Sequence, residues 1–333
     1  MSDEHHTPDQ RNSVRRNPAW RRWLGSPAFG PLIAIVVVYA VFAGLAPDTF
    51  IGWINLTTMI RQTVVVAMVA VGMTLVMVLG GIDLSVGSLV ALTTVVIART
   101  VQQGQSAAVA ALAGIGVALC AGLVNGLLVV SLRITPFIVT LGTMSLLRGL
   151  AKGIAHEQKI DARTTGLSDL MTLDPGRTWQ LVPTGVWITL CVALFAAILL
   201  GSTRWGRHVV AIGSNVATAR LCGVRVPQVT LGVYALAGLL AGIAGIMEFS
   251  TLTVGDPTDS VGLELEVIAA VVIGGGSLSG GQGSVLGALL GALLLTFIAT
   301  GCTHIGVPNW VQEILTGIII VLAMGIERWR RAR

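Results

Sequence analysis

The chain has 333 residues, of which 54% are hydrophobic and only 11% charged, and its formal net charge is +5. A soluble domain carries about 25% charged residues, so this chain cannot cover a water-facing surface, and lipid has to be its solvent. The positive balance comes mainly from arginines beside apolar runs and reads as membrane-flanking charge, not as a nucleic-acid footprint.

Residues 1–28 are polar and lack apolar periodicity, and they carry Arg11, Arg15, Arg16, Arg21 and Arg22. They read as a disordered basic cytoplasmic tail. They do not read as a cleaved signal peptide, because the following apolar run is long and no small-residue cleavage pattern ends it. From residue 29, runs near the roughly 17–25 residues needed to span a bilayer recur. They lie at 29–46, 62–79, 85–101, 107–131, 134–151, 184–201, 229–249, 265–276, 283–301 and 309–326. The eighth is short and the third is flanked by glycine.

A segment in lipid must satisfy its own backbone polar groups, so each run should be helical. The expected fold is an all-α polytopic membrane protein with about ten transmembrane helices over 29–326. A basic tail, 327–333, follows with Arg328, Arg330, Arg331 and Arg333. Lys and Arg favour cytoplasmic flanks, so both termini are expected in the cytoplasm, which requires an even number of spans. Ten spans also put Arg133, Arg204, Arg207, Arg220 and Arg225 inside. The outer loops then collect Asp48, Glu157, Asp161, Asp169, Asp174, Asp256 and Asp259.

The stretch GGIDLSVGS, residues 80–88, separates the second and third runs. Gly80 and Gly81 end one helix, and Asp83 or Ser85 caps the next by accepting an orphan backbone N–H. An ionisable residue at membrane depth also suits a gate or pathway, because facing lipid is costly. Both readings stand, and broken helices commonly line transport routes. The polar residues Asn125, Thr140, Thr143 and Ser145 lie inside spans. They suit either contacts to a solute in the pathway or hydrogen bonds between helices.

In the loop 202–228, Asn215 is a good N-cap and Gly223 a good C-terminal stop, which predicts a short helix over 216–222. That helix is either a contact for a cytoplasmic partner or part of a loop held to anionic lipid by Arg204, Arg207, Arg220 and Arg225. Glu248, Asp256, Asp259, Glu264, Glu266 and Glu313 gather near the outer ends of the seventh, eighth and tenth runs. They serve either as solvated anchors or as a docking rim for a partner protein. The four cysteines and the histidines His156, His208 and His304 show no metal-ligand spacing, and no catalytic residue or metal site is expected.

Residues 278–282 read LSGGQ, a string that in ATP-binding cassette ATPases grips a nucleotide phosphate. Such an ATPase also needs a phosphate loop ending in Gly-Lys-Ser/Thr. The chain's two lysines, Lys152 and Lys159, follow Ala151 and Gln158, so neither completes one. The longest gap between runs, 152–183, is too short for an ATPase domain. The string is expected to be a packing turn between the eighth and ninth spans, and the chain is not expected to be an enzyme.

GGIDLSVGS, preceded by INLTTMIRQT and VAVGMTLVMVLG, resembles the permease subunits of bacterial ribose-, arabinose- and xylose-type ATP-binding cassette sugar importers. The likeness continues in GLVNGLLVVSLRITPFIVTLGTMSLLRGLA (122–151), GRHVVAIGSNVATARLCGV (206–224) and GLELEVIAAVVIGGGSLSGGQGSVLGALLGALLL (262–295). The resemblance implies a permease homodimer in the bacterial cytoplasmic (inner) membrane that imports a monosaccharide. An ATPase subunit with tandem nucleotide-binding halves would bind the ATP, so the permease itself would hold no cofactor. A periplasmic sugar-binding protein would deliver the substrate. The resemblance places ATPase coupling at Gly206, Arg207, Gly213, Asn215, Val216, Ala219, Arg220 and Gly223, and binding-protein docking at Asp256, Asp259 and Glu264. Family members often carry Glu just after the asparagine, where this chain has Val216 and Ala217. An ion-coupled secondary transporter with Asp83 as its protonation site is the main alternative. A related permease for a nucleoside, a signalling sugar or a branched-chain amino acid is a nearer one.

Overall fold

The computed structural model describes residues 29–163, 166–173 and 181–331. The tail 1–28, Asp174 and Arg333 lie outside the described residues. Each of the ten apolar runs falls on a helix. Phe29–Leu45 (α1) leads through the short Pro47–Phe50 (α2) into Trp53–Leu79 (α3). Val86–Gln102 (α4), Ala107–Leu132 (α5) and Pro136–Ala155 (α6) follow, then the short strand Ile160–Asp161 (β1). Thr184–Ser202 (α7) precedes two short helices, Arg204–Ser214 (α8) and Val216–Leu221 (α9). Val226–Leu252 (α10), the strand Val254–Gly255 (β2), Leu263–Ile273 (α11), Val285–His304 (α12) and Asn309–Arg331 (α13) complete the described chain. Among the described residues, six helices are long and apolar enough to cross a membrane, namely α3, α5, α6, α7, α10 and α12, while α1 and α4 are shorter apolar helices.

The bundle is organised around α3, in which every residue from 63 to 79 is buried. A helix apolar on all sides has to be enclosed on all sides, and α10, α12, α7, α11 and α8 enclose it. Along α5 and α10, small residues let the backbones meet. A Cβ on Gly122 would stand 2.9 Å from the Cα of Gly238. Without a hydrophobic drive between helices in lipid, such close packing is what holds them together.

The two ends of the bundle differ. At one end β1 pairs antiparallel with β2, Ile160 opposite Gly255 and Asp161 opposite Val254. At the other lie α8, α9 and the turn around Gly280. The short eighth run also has a structural cause. After α10 the chain folds back along α4, with Gly255 against Thr94 and Ala98 and Ser260 against Gly87. That descent covers about eleven residues of α4, roughly 16 Å of axis. Helix α11 therefore starts well inside the bundle, and its 11 residues extend only about 16 Å, against a hydrocarbon core of roughly 30 Å.

Candidate functional site

The break between α3 and α4 is built from the residues singled out in the sequence. Helix α3 ends on Gly80 at φ +93°, with the Gly80 amide donating to the Met77 carbonyl and the Gly81 amide to the Val76 carbonyl. Only glycine takes that left-handed conformation without a Cβ penalty, and the paired bonds satisfy the last carbonyls. Asp83, 2% exposed, then accepts from both the amide (2.9 Å) and the hydroxyl (2.6 Å) of Ser85. Of the two expected caps, Asp83 therefore accepts the amide, and Ser85 makes no side-chain cap of its own.

The same break gathers residues from three other helices. Asn125 of α5 donates through Nδ2 to Ser85 Oγ at 2.8 Å, while its Oδ1 is buried without a partner. The Thr140 hydroxyl of α6 accepts from the Leu84 amide at 3.1 Å and lies 3.0 Å from the Ile82 and Pro136 carbonyls. Thr143 bonds back to the Thr140 carbonyl. Tyr234 of α10 is fully buried with an unpartnered Oη, and a Cβ on Gly81 would stand 2.7 Å from that oxygen. Tyr234 did not emerge from the sequence. One of only two tyrosines in the chain, placed mid-span, was the one available signal.

Beyond the break lies a second construction. Asn215 Oδ1 accepts from the Thr218 amide at 2.9 Å and caps α9, and Gly223 at φ +80° ends it, close to the predicted 216–222. Helix α9 stands out from the bundle: Ala219 is buried, Arg220 is exposed, and Leu221 is 89% exposed. Its neighbour α8 escaped the sequence reading because only three of its eleven residues, Gly206, Val209 and Ile212, are buried. Arg207 lies exposed on α8.

Near its end, α8 brings Gly213 against the break. A Cβ on Gly213 would overlap the Val78 carbonyl and stand 2.6 Å from the Gly281 amide nitrogen. One on Gly280 would stand 2.9 Å from the Gly80 Cα. The Gly281 amide donates to the Val78 carbonyl at 2.9 Å. The LSGGQ string is thus a turn closed by the Ser277 amide on the Gln282 carbonyl, joined to α3 and α8 and preceding α12, whose N-cap is Ser284. Three backbones meet here with no side chain between them.

The acidic residues expected at a rim divide. Asp256 stands beside β2, with Lys159 Nζ 3.0 Å away. Burial raises its pKa, but the Thr258 hydroxyl and amide, with Lys159, together draw it below its ordinary value. The hydrogen bond to Asp256 holds Lys159 above its own. Asp259 is half-buried and takes a hydrogen bond from the Ser260 hydroxyl at 3.3 Å. Glu264 lies further down, in the first turn of α11, with a buried Oε2 that has no hydrogen-bond partner.

A buried central helix enclosed by apolar helices, a helix break lined by polar groups and a capped pair of short helices joined to that break are the features of a helical membrane permease. Residues 55–324 match the family described as branched-chain amino acid transport system / permease component, and the chain belongs to that family. It is 42% identical over 297 residues to the ribose import permease protein RbsC of Escherichia coli K12, covering 89% of this chain and 92% of that one. It is 32% identical over 314 residues to the fructose import permease protein FrcC of Rhizobium meliloti, covering 92% and 86%. It is 32% identical over 302 residues to the L-arabinose ABC transporter permease protein AraH of Azospirillum brasilense, covering 91% and 88%. No solved structure matches the chain.

Proposed function

We propose that this chain is the transmembrane permease subunit of an ATP-binding cassette importer that moves a monosaccharide inward across the bacterial cytoplasmic membrane. The observation that carries the reading is the direct backbone contact of α8 with the break at 78–81 and the turn at 280–281. A movement imposed on the exposed α8–α9 pair reaches Asp83 without passing through a flexible side chain. The sugar assignment rests on relatives whose names give ribose, fructose and arabinose.

Orientation follows from charge. Arg133, Arg204, Arg207, Arg220 and Arg225 lie toward the α8–α9 end, and the positive-inside rule makes that end cytoplasmic. Ten membrane-embedded helices with both termini inside are consistent with that assignment. The ATPase, carrying tandem nucleotide-binding halves, would dock on α9 through Val216, Arg220 and Leu221, beneath a permease homodimer. A periplasmic binding protein would meet the β1–β2 end near Asp256. ATP would be held by the ATPase, and the permease would carry no catalytic group. The LSGGQ turn is then a packing joint, its glycines spent on contact with Gly80 and Gly213.

An ion-coupled carrier with Asp83 as its proton site fits less well, since Asp83 is sealed in and engaged by both bonds from Ser85. Gentle-detergent purification from the native membrane, with mass spectrometry of what stays bound, tests the reading. A co-purifying protein with two phosphate loops is expected. A chain that emerges alone and drives uptake in liposomes under an ion gradient would overturn it.

A further inference from the structure

A cavity of about 270 Å³ lies between the first turn of α4, the half of α6 nearer the strands, and the segment 258–264. Its polar lining is Ser88, Ser145, Arg148, Lys152, Thr258 and Glu264. Met144 and Val261 supply the apolar contact. The volume falls just under the roughly 300–1,000 Å³ of drug-sized sites, which points to a smaller occupant.

Ser88 and Glu264 each hold a buried atom without a hydrogen-bond partner in the wall of this cavity. Ser88 is fully buried and its Oγ is unpartnered, and Glu264 Oε2 is buried and unpartnered. Neither atom is open to the space of the cavity, so each acts from within its wall, Glu264 as a negative charge close to Arg148. Arg148 is fixed beside them, its Nη1 donating to the Pro257 carbonyl at 3.0 Å and the Asp259 carbonyl at 2.6 Å. Gly87 permits the arrangement, because a Cβ there would stand 2.5 Å from Glu264 Oε2 and from the Ser260 carbonyl.

The position argues for use. Ser88 lies fourteen residues before the end of α4 at Gln102, about 21 Å along the axis. Arg148 lies seven residues before the end of α6 at Ala155, about 10 Å down. Charged groups at membrane depth are costly and mark substrate routes. The charges here have both signs, so a bare anion meets Glu264 and a bare cation meets Arg148 and Lys152. A neutral polyol suits the set: its hydroxyls accept from Arg148 and Lys152 and bond to the exposed hydroxyls of Ser145 and Thr258.

We propose that this cavity is a sugar subsite, where a monosaccharide is held after leaving the binding protein and before passing the break at Asp83. The proposal rests on the import reading above. The test uses the assembled importer in nanodiscs, without binding protein, and saturation-transfer NMR with D-ribose as probe. Millimolar contact with D-ribose is expected in the wild type, weakened at least tenfold in Ser145→Ala and in Glu264→Gln.

Absence of contact in the wild type, whatever the variants do, would overturn the subsite, as would contact unchanged in both variants. So would native mass spectrometry finding a phospholipid that the wild type retains and Glu264→Gln loses, with no ribose contact. ATP-driven uptake with binding protein, measured on the same wild-type preparation, separates the two claims. Uptake without ribose contact removes only the subsite, whereas no ATP-driven uptake removes the import reading itself.

Discussion

Thr140 straps the break to α6 through one hydroxyl, accepting from the Leu84 amide and donating to a carbonyl. Valine keeps the shape and removes both bonds, leaving buried backbone groups unpaired. Thr140→Val should therefore lower stability by about 1–3 kcal/mol, read as a lower midpoint in thermal melts in detergent, with Thr140→Ser retaining most of it. An unchanged midpoint would show that the strap carries no stability. The Lys159–Asp256 pair carries a pH prediction. Asp256 titrates below its ordinary 3.8, so its contribution is present above that value and lost as pH falls through the lowered pKa. Lys159 titrates above its ordinary 10.5, so its contribution is complete below that value and lost as pH rises through the raised pKa. Amide protection at 160–161 and 254–255 should be flat between about pH 4 and pH 10, and a sharp fall between pH 5 and pH 8 would contradict the pairing. At this scale Asp83 and Asn215 were legible, because a turn or cap acts within three residues. Tyr234 was not, because Gly81 lies 153 positions away in the chain.

Helix α8 and the turn at 280–281 come closest to α3 at glycines, Gly213 against the Val78 carbonyl and Gly280 against Gly80, so a single methyl group is a sharp probe. Gly213→Ala should force α8 off the Val78 carbonyl, an overpacking that typically costs about 1–3 kcal/mol. Uptake is expected to fall at least roughly tenfold, equivalent to about 1.4 kcal/mol, while ATP hydrolysis by the assembled importer continues. Equal loss of both activities would mean that the contact serves assembly and not transmission. Arg220→Glu, on the exposed side of α9, should uncouple uptake from hydrolysis and leave the melting midpoint unchanged; unaltered uptake would remove α9 as the docking helix. Uninterrupted apolar runs located the long helices, since an apolar run of membrane length has one solution. It passed over α8, whose buried face is only three residues, and it could not show that the eighth run begins inside the bundle. That depth is set by Gly255 and Ser260 folding back on α4, a long-range contact with no local signature.

In the function we propose, the two ends of the molecule would carry two separate tasks, a division that the family likeness in the sequence implies. The α8–α9 end carries exposed Arg207, Arg220 and Leu221, and the β1–β2 end carries Asp256 and Lys159. If the β1–β2 end meets the binding protein through charge, Asp256→Asn should slow association mainly at low salt, because exposed charges are screened over about 10 Å at 0.1 M. A salt-independent rate would place the docking elsewhere. The central claim is that force generated on another subunit moves this chain's break. The most direct measurement is D-ribose uptake into proteoliposomes holding this chain with its co-purified ATPase and binding protein. Uptake that requires all three components and ATP, and persists when proton and sodium gradients are collapsed, is the predicted result. Uptake by this chain alone, driven by either gradient and indifferent to ATP, would contradict it.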